Sequence, residues 1–125
     1  MLTVLLVGAG GLIGAIMRYL VGSWVYAQSG SPAFPYGTLA VNVAGCFLIG
    51  LLAGFAETRQ ILGETTRAFL IVGLLGGFTT FSAFGYETLA LVRDGQISVG
   101  VANVGLQVVL GLAAVWIGLT VSQWT

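Results

Sequence analysis

One stretch of the sequence combines residues that could bind an ion inside an apolar segment. The run from Gly73 to Glu87 reads Gly-Leu-Leu-Gly-Gly-Phe-Thr-Thr-Phe-Ser-Ala-Phe-Gly-Tyr-Glu. The segment is long enough to cross a bilayer, yet its paired glycines and paired threonines are poor residues for holding a helix together at that depth. Free backbone groups at membrane depth are tolerated only where they are buried in protein or face a water-filled cavity. The sequence therefore predicts a broken helix with an ion site at the break.

Aromatic rings and hydroxyls follow this break directly. Phe81 and Phe84 supply rings whose edges carry partial positive charge, so a ring presented edge-on can accept a small anion and does not attract a cation. Thr80 and Ser82 supply hydroxyl donors. Rings in a membrane helix also commonly face lipid or fill the core, and the residues alone leave both interpretations open.

Three amides and one guanidinium lie in other apolar segments. Asn42 shares a helical face with Thr38, and Asn103 shares one with Gln107, because each pair is four residues apart. Such amides either hold helices together or line an ion path. Arg18 either extends its charge to the membrane surface or provides a positive charge at the mouth of a pathway, where it would attract an anion.

The elements that must position these residues are membrane spans. The chain is 58% apolar and 6% charged and has no histidine, which is far from the composition of a soluble domain. We predict an all-α, multi-pass protein of the plasma (inner) membrane, with one transmembrane domain whose four spans cover about 2 to 26, 35 to 56, 68 to 91 and 97 to 121. Gly10 and Gly14 predict a close approach of the first span to another helix.

Two function classes find no support in the sequence. Nucleic-acid binding is excluded by a net charge of zero and the absence of a basic patch. We also expect no enzyme, because the chain has no nucleophile and base pair, no cluster of metal ligands and no phosphate-binding loop.

Positive charge barely distinguishes the two ends of the predicted bundle. With a cytoplasmic N-terminus, Arg59 and Arg67 would lie in the inner loop and Arg93 in the outer one. This weak bias favours insertion in both orientations, and four short spans are too few to enclose a pathway. An antiparallel homodimer in the lipid satisfies both conditions, with the two broken third helices crossing on its twofold axis.

Three ordered motifs resemble those of the small dual-topology fluoride channels, and the resemblance covers essentially the whole chain. The motifs are Gly11-x-x-Gly14-Ala15-x-x-Arg18-Tyr19, Gly37-Thr38-Leu39-x-Val41-Asn42-x-x-Gly45, and Gly76-Gly77-x-Thr79-Thr80-Phe81-Ser82-x-Phe84-x-x-Glu87. The resemblance implies a dimer with two fluoride pathways and a central sodium ion.

The same resemblance assigns roles to single residues. Phe81 and Phe84 would contact the anion with Asn42 beside them, and backbone carbonyls of Gly76 and Thr79 would hold Na⁺. The chemistry of the ion adds further donors, because tightly hydrated fluoride must exchange its water for close hydrogen bonds: we expect the hydroxyls of Thr80 and Ser82 and the amides of Asn103 and Gln107 along the pathway, with Arg18 in the vestibule. The chain departs from the family pattern at Ala83, where Thr is usual, and at Asn103 and Gln107, where Tyr and Ser are common.

The position of the break also follows from the sequence. We expect the first half-helix to end near Leu75 and the second to begin near Thr80. The carbonyls at a helix C-terminus are unsatisfied and carry partial negative charge, which favours a cation such as a structural Na⁺. The alternative function is a small proton-coupled multidrug or metabolite exporter, which would need a carboxylate deep in the membrane, and Glu87 is the only candidate.

Overall fold

The structure, a computed structural model, describes residues 1–125, and the chain is entirely helical. Helix α1 spans Leu2–Ser29 and α2 spans Tyr36–Arg59. Helix α3 consists of three contiguous pieces, namely Glu64–Arg67, the π-helical Ala68–Leu75, and Gly76–Phe78. Helix α4 spans Phe81–Arg93 and α5 spans Ile97–Trp124. With α3 and α4 taken together as one bent span, four helices are long and apolar enough to cross a membrane, which confirms the predicted all-α, four-span fold with a broken third span.

Glycines bring the backbones of α1 and α3 into direct contact. Gly10 and Gly14 are both buried, and a Cβ atom at Gly10 would lie 2.6 Å from the carbonyl oxygen of Phe69. At Gly14 a Cβ atom would overlap the carbonyl oxygen of Leu74. The predicted close approach is therefore confirmed, and its partner is the first half of the broken span.

A second seam of small residues joins α2 to α5. Gly50 lies against the carbonyl of Val115, and Gly118 lies against the carbonyl of Phe47, so that neither position has room for a side chain. Dispersion contacts between closely packed backbones are a main source of helix association in lipid, where the hydrophobic effect contributes little. The two seams fix α3 on α1 and α5 on α2.

The break between α3 and α4 consists of Thr79 and Thr80, both in extended conformation. The predicted end of the first half-helix near Leu75 is wrong by three residues, because α3 continues through Gly76–Phe78. Gly77 explains the difference, since a Cβ atom there would lie 2.5 Å from the carbonyl oxygen of Gly11. This glycine of the pair thus permits close packing on α1 within a continuous helix.

The second half-helix begins as the sequence predicts. Thr80 is its N-cap residue, and its Oγ1 atom accepts a hydrogen bond of 3.1 Å from the backbone nitrogen of Ala83. A threonine hydroxyl in this position satisfies one of the free N-H groups of the first turn. Helix α4 therefore starts at Phe81, which places the first ring directly at the break.

Candidate ion site at the helix break

The side chain of Asn42 forms hydrogen bonds with the backbone at the break. Its Oδ1 atom accepts a 2.8 Å hydrogen bond from the backbone nitrogen of Thr80, and its Nδ2 atom donates a 3.0 Å hydrogen bond to the Thr80 carbonyl. Thr80 is buried, so both backbone groups need a partner within the protein. One side chain on α2 thus satisfies both backbone groups of Thr80.

A cavity of about 380 Å³ lies beside this junction, and we call it the break cavity. Seven of the ten predicted site residues line it, namely Asn42, Gly76, Thr79, Thr80, Phe81, Phe84 and Gln107. No charged residue belongs to its lining. The structure therefore brings together most of the residues that the sequence singled out, from four helices and the break.

The two phenylalanines form one side of the break cavity. Their ring centroids are 5.5 Å apart and the ring planes are inclined at 55°. Phe81 is 82% exposed in the single chain, whereas Phe84 is half-buried. Because tilted rings present edges as well as faces, a small anion in this cavity can meet the positive edge of a ring.

Gln107 joins the site through Asn42. The Nδ2 atom of Asn42 donates a second hydrogen bond, of 3.1 Å, to Oε1 of Gln107. The Nε2 atom of Gln107 is buried and has no hydrogen-bond partner. An amide donor without a partner therefore belongs to a residue that lines the break cavity.

The remaining three predicted site residues lie elsewhere. Ser82 is exposed on α4, with its hydroxyl 3.3 Å from that of Thr80. Asn103 is fully buried and lines neither the break cavity nor the cavity that contains Arg18. Its Nδ2 atom donates to Oγ1 of Thr88 at 2.9 Å, and Thr88 donates to the carbonyl of Phe84 at 2.7 Å. Asn103 thus ties α5 to the helix turn that carries a ring of the break cavity.

Arg18 lines a second cavity, of about 700 Å³, which we call the outer cavity. Glu87 lies in the same cavity, where its Oε1 atom accepts a 2.8 Å hydrogen bond from Thr38 Oγ1 and its Oε2 atom is buried without a partner. No sequence pattern predicts that Arg18 and Glu87 share a cavity, although both residues occur in the motifs. Thr80 is the one residue that lines both the outer cavity and the break cavity.

The carbonyl oxygens of Gly76 and Thr79 lose the hydrogen-bond partners that a continuous helix would give them. In a continuous helix they would accept from the backbone nitrogens of Thr80 and Ala83. Those donors are used elsewhere, since Thr80 N donates to Asn42 and Ala83 N donates to Thr80 Oγ1. Both oxygens lack their helical partners, and both residues line the break cavity.

Comparison with known proteins places the chain in a family. The model of the "CrcB-like protein, Camphor Resistance (CrcB)" family matches residues 5–119. A protein of Rhizobium meliloti named "Fluoride-specific ion channel FluC" is 50% identical over 120 residues, which cover 96% of this chain and 95% of the relative. A protein of the same name from Geobacter metallireducens is 43% identical, with 98% of each chain covered. The chain therefore belongs to the CrcB-like family.

Proposed function

We propose that this protein is a fluoride channel, which lets fluoride leave the cell passively through the break cavity. The observation that carries the proposal is the set of groups around that cavity: two phenyl rings, amide and hydroxyl groups, and no charged residue. A relative with half its residues identical is named a fluoride-specific ion channel. The chain is thus a transport protein and not an enzyme.

Fluoride needs close hydrogen-bond donors to replace its tightly held water. On the outer side, the Arg18 guanidinium of the outer cavity attracts the anion. The Thr80 side chain stands between the two cavities, and its hydroxyl can donate to an ion that passes from one to the other. In the break cavity, the ring edges carry partial positive charge, so they attract the anion and do not attract a cation.

An antiparallel homodimer completes the site in this proposal. Phe81 is 82% exposed on the single chain, and the break cavity beside it contains polar backbone and amide groups. Polar backbone at membrane depth requires cover by protein or water, and a second copy of the chain provides that cover. Two copies inserted in opposite orientations would give one pathway for each chain.

A structural sodium ion belongs to the same proposal. The carbonyls of Gly76 and Thr79 would hold it, and the twofold axis would bring four such oxygens together. Bound there, Na⁺ would neutralise the partial negative charge of the two helix ends. The measurement is dimer stability after complete exchange of Na⁺ for a large organic cation, with Gly76→Pro as the variant that changes the backbone. Unchanged stability in both experiments would contradict the sodium site.

Flux from liposomes tests the function. Purified protein is reconstituted into vesicles loaded with fluoride or chloride, and efflux is followed with an ion-selective electrode. We expect fluoride efflux with no imposed proton gradient and almost no chloride efflux. Phe81→Ile should reduce the efflux, whereas Phe55→Ile, at a half-buried ring on α2 outside both cavities, should not. Fluoride flux that requires a proton gradient would instead favour the exporter, with Glu87 as the proton-binding group.

A further inference from the structure

We propose that Gly45 on α2 is a positioning residue for the fluoride pathway, because the space left by its missing side chain receives the methyl group of Thr79 and holds the break in its extended form. The inference rests on the proposed function. It also gives a role to a glycine of the second motif, which the proposed function leaves without one.

Gly45 lies where α2 meets the break. It is buried and lines the break cavity. A Cβ atom at this position would overlap Cγ2 of Thr79 and lie 3.6 Å from Cδ1 of Phe78. The methyl group of Thr79 therefore occupies the notch that an alanine side chain would fill.

Two contacts fix the side chain of Thr79. Its Oγ1 atom donates a 3.0 Å hydrogen bond to the Leu75 carbonyl, which also accepts a 2.9 Å bond from the Thr79 backbone nitrogen. Threonine is stiff about χ1, so the methyl group cannot turn out of the notch unless the hydroxyl leaves its acceptor. The hydrogen bond and the notch at Gly45 therefore hold the side chain in one position.

Two neighbouring positions on α2 thus hold both residues of the break. Asn42 and Gly45 are three residues apart and lie on one face of the helix. Asn42 holds the backbone of Thr80 by two hydrogen bonds, and Gly45 holds the side chain of Thr79 by shape. The chain is extended beyond the Thr79 nitrogen, with ψ at 158°. Because ψ sets the direction in which the chain leaves α3, a displaced Thr79 would misplace the start of α4 and the ring of Phe81.

The chemical nature of the neighbour makes this role testable. Gly50 on the same helix meets the backbone of Val115, and no substitution at position 115 would remove that backbone. Gly45 meets a methyl group, and Thr79→Ser removes this methyl while it keeps the hydroxyl that bonds to Leu75. A methyl group added at position 45 should then be tolerated when the one at position 79 is absent.

Fluoride efflux from liposomes, normalised to the amount of folded protein, tests the inference. Gly45→Ala should lower the efflux about tenfold or more, because overpacking at this position displaces Thr79. The double variant Gly45→Ala/Thr79→Ser should return to the efflux of Thr79→Ser alone. Gly105→Ala on α5, where a Cβ atom meets nothing within 4 Å, should conduct like the wild type.

Gly50→Ala distinguishes a positioning role from a general loss of stability. This substitution overpacks the contact between α2 and α5 but leaves the break untouched. We expect it to destabilise the protein, while its efflux per folded protein stays close to that of the wild type. Thr79→Ser should not restore its stability. If Gly50→Ala lowers the normalised efflux as much as Gly45→Ala does, the positioning role is contradicted.

Unfolding by sodium dodecyl sulfate provides a readout that does not depend on fluoride. We expect Gly45→Ala to raise the unfolding equilibrium constant about tenfold or more in the wild-type background, and much less in the Thr79→Ser background. Residues in contact should couple in this way. Additive effects of the two substitutions would overturn the inference.

The outcomes also distinguish this inference from the proposed function. If the wild-type protein produces no fluoride efflux, the proposed function fails, and the coupling measured by unfolding still decides whether Gly45 receives the Thr79 methyl group. If the wild type conducts and Gly45→Ala conducts equally well, the inference is wrong while the function stands. The same conclusion follows if Thr79→Ser does not restore efflux to Gly45→Ala.

Discussion

The contact between α1 and α3 allows a packing cost to be measured with a matched pair of substitutions. In Gly10→Ala the new methyl group would lie 2.6 Å from the Phe69 carbonyl oxygen and 2.8 Å from the Leu74 nitrogen, whereas ordinary contact begins at 3.4 Å. Both neighbours are backbone atoms, so the helices must move apart. Overpacking of this kind costs about 1 to 3 kcal/mol.

Gly8→Ala is the control, because Gly8 lies on the same helix and a Cβ atom there meets nothing within 4 Å. Both substitutions gain the same helix propensity, about 1 kcal/mol, so this contribution cancels in the comparison. We expect the free energy of unfolding of Gly10→Ala to be lower than that of Gly8→Ala by about 1 to 3 kcal/mol. The assay is unfolding by sodium dodecyl sulfate from mild detergent micelles, followed by circular dichroism. Equal stability of the two variants would refute the direct backbone contact.

Three further predictions concern the pathway and the assembly. Phe84→Ile should reduce fluoride efflux about tenfold or more while size-exclusion chromatography still shows a dimer, and normal efflux would place the pathway elsewhere. Added lysines in the loop after Arg59 should fix the orientation of the chain in the membrane and abolish efflux. Co-expression with an oppositely biased variant should restore the efflux. A variant of fixed orientation that conducts alone would contradict dual topology. Thr88→Val breaks the link from Asn103 to the Phe84 carbonyl and should lower the free energy of unfolding by about 1 to 2 kcal/mol. Thr120→Val removes a similar bond at a position without a buried partner and should cost less.

The four membrane-crossing helices could be predicted because long apolar runs separated by polar loops have few alternatives. The break could also be predicted, since paired glycines followed by paired threonines disfavour a continuous helix. Its position could not, because glycine serves two purposes in lipid. Gly77 looks in the sequence like a residue that ends a helix, but it contacts the Gly11 backbone from within one. Only the packing of α1 decides between these roles.

The hydrogen bonds of the site could not be predicted from the sequence, and the reason is a different one. Asn42 bonds with residues 38 and 65 positions away in the chain, and no local pattern encodes such pairs. The sequence could show that Asn42 and Gln107 are unusual in lipid, but it could not show that they bond to each other. Asn103 illustrates the same limit, since it shares a helix face with Gln107 yet bonds to Thr88 outside both cavities.

Thr80, the residue that lines both cavities, has a consequence for where the membrane voltage acts. If water fills the outer cavity and the break cavity, each conducts ions well, and most of the voltage falls across the thin barrier at Thr80. An elementary charge that crosses the whole membrane at 100 mV gains about 2.3 kcal/mol. A fluoride ion would receive most of this energy in one short step past a threonine side chain. The electrical distance from either bath to that step would then be short.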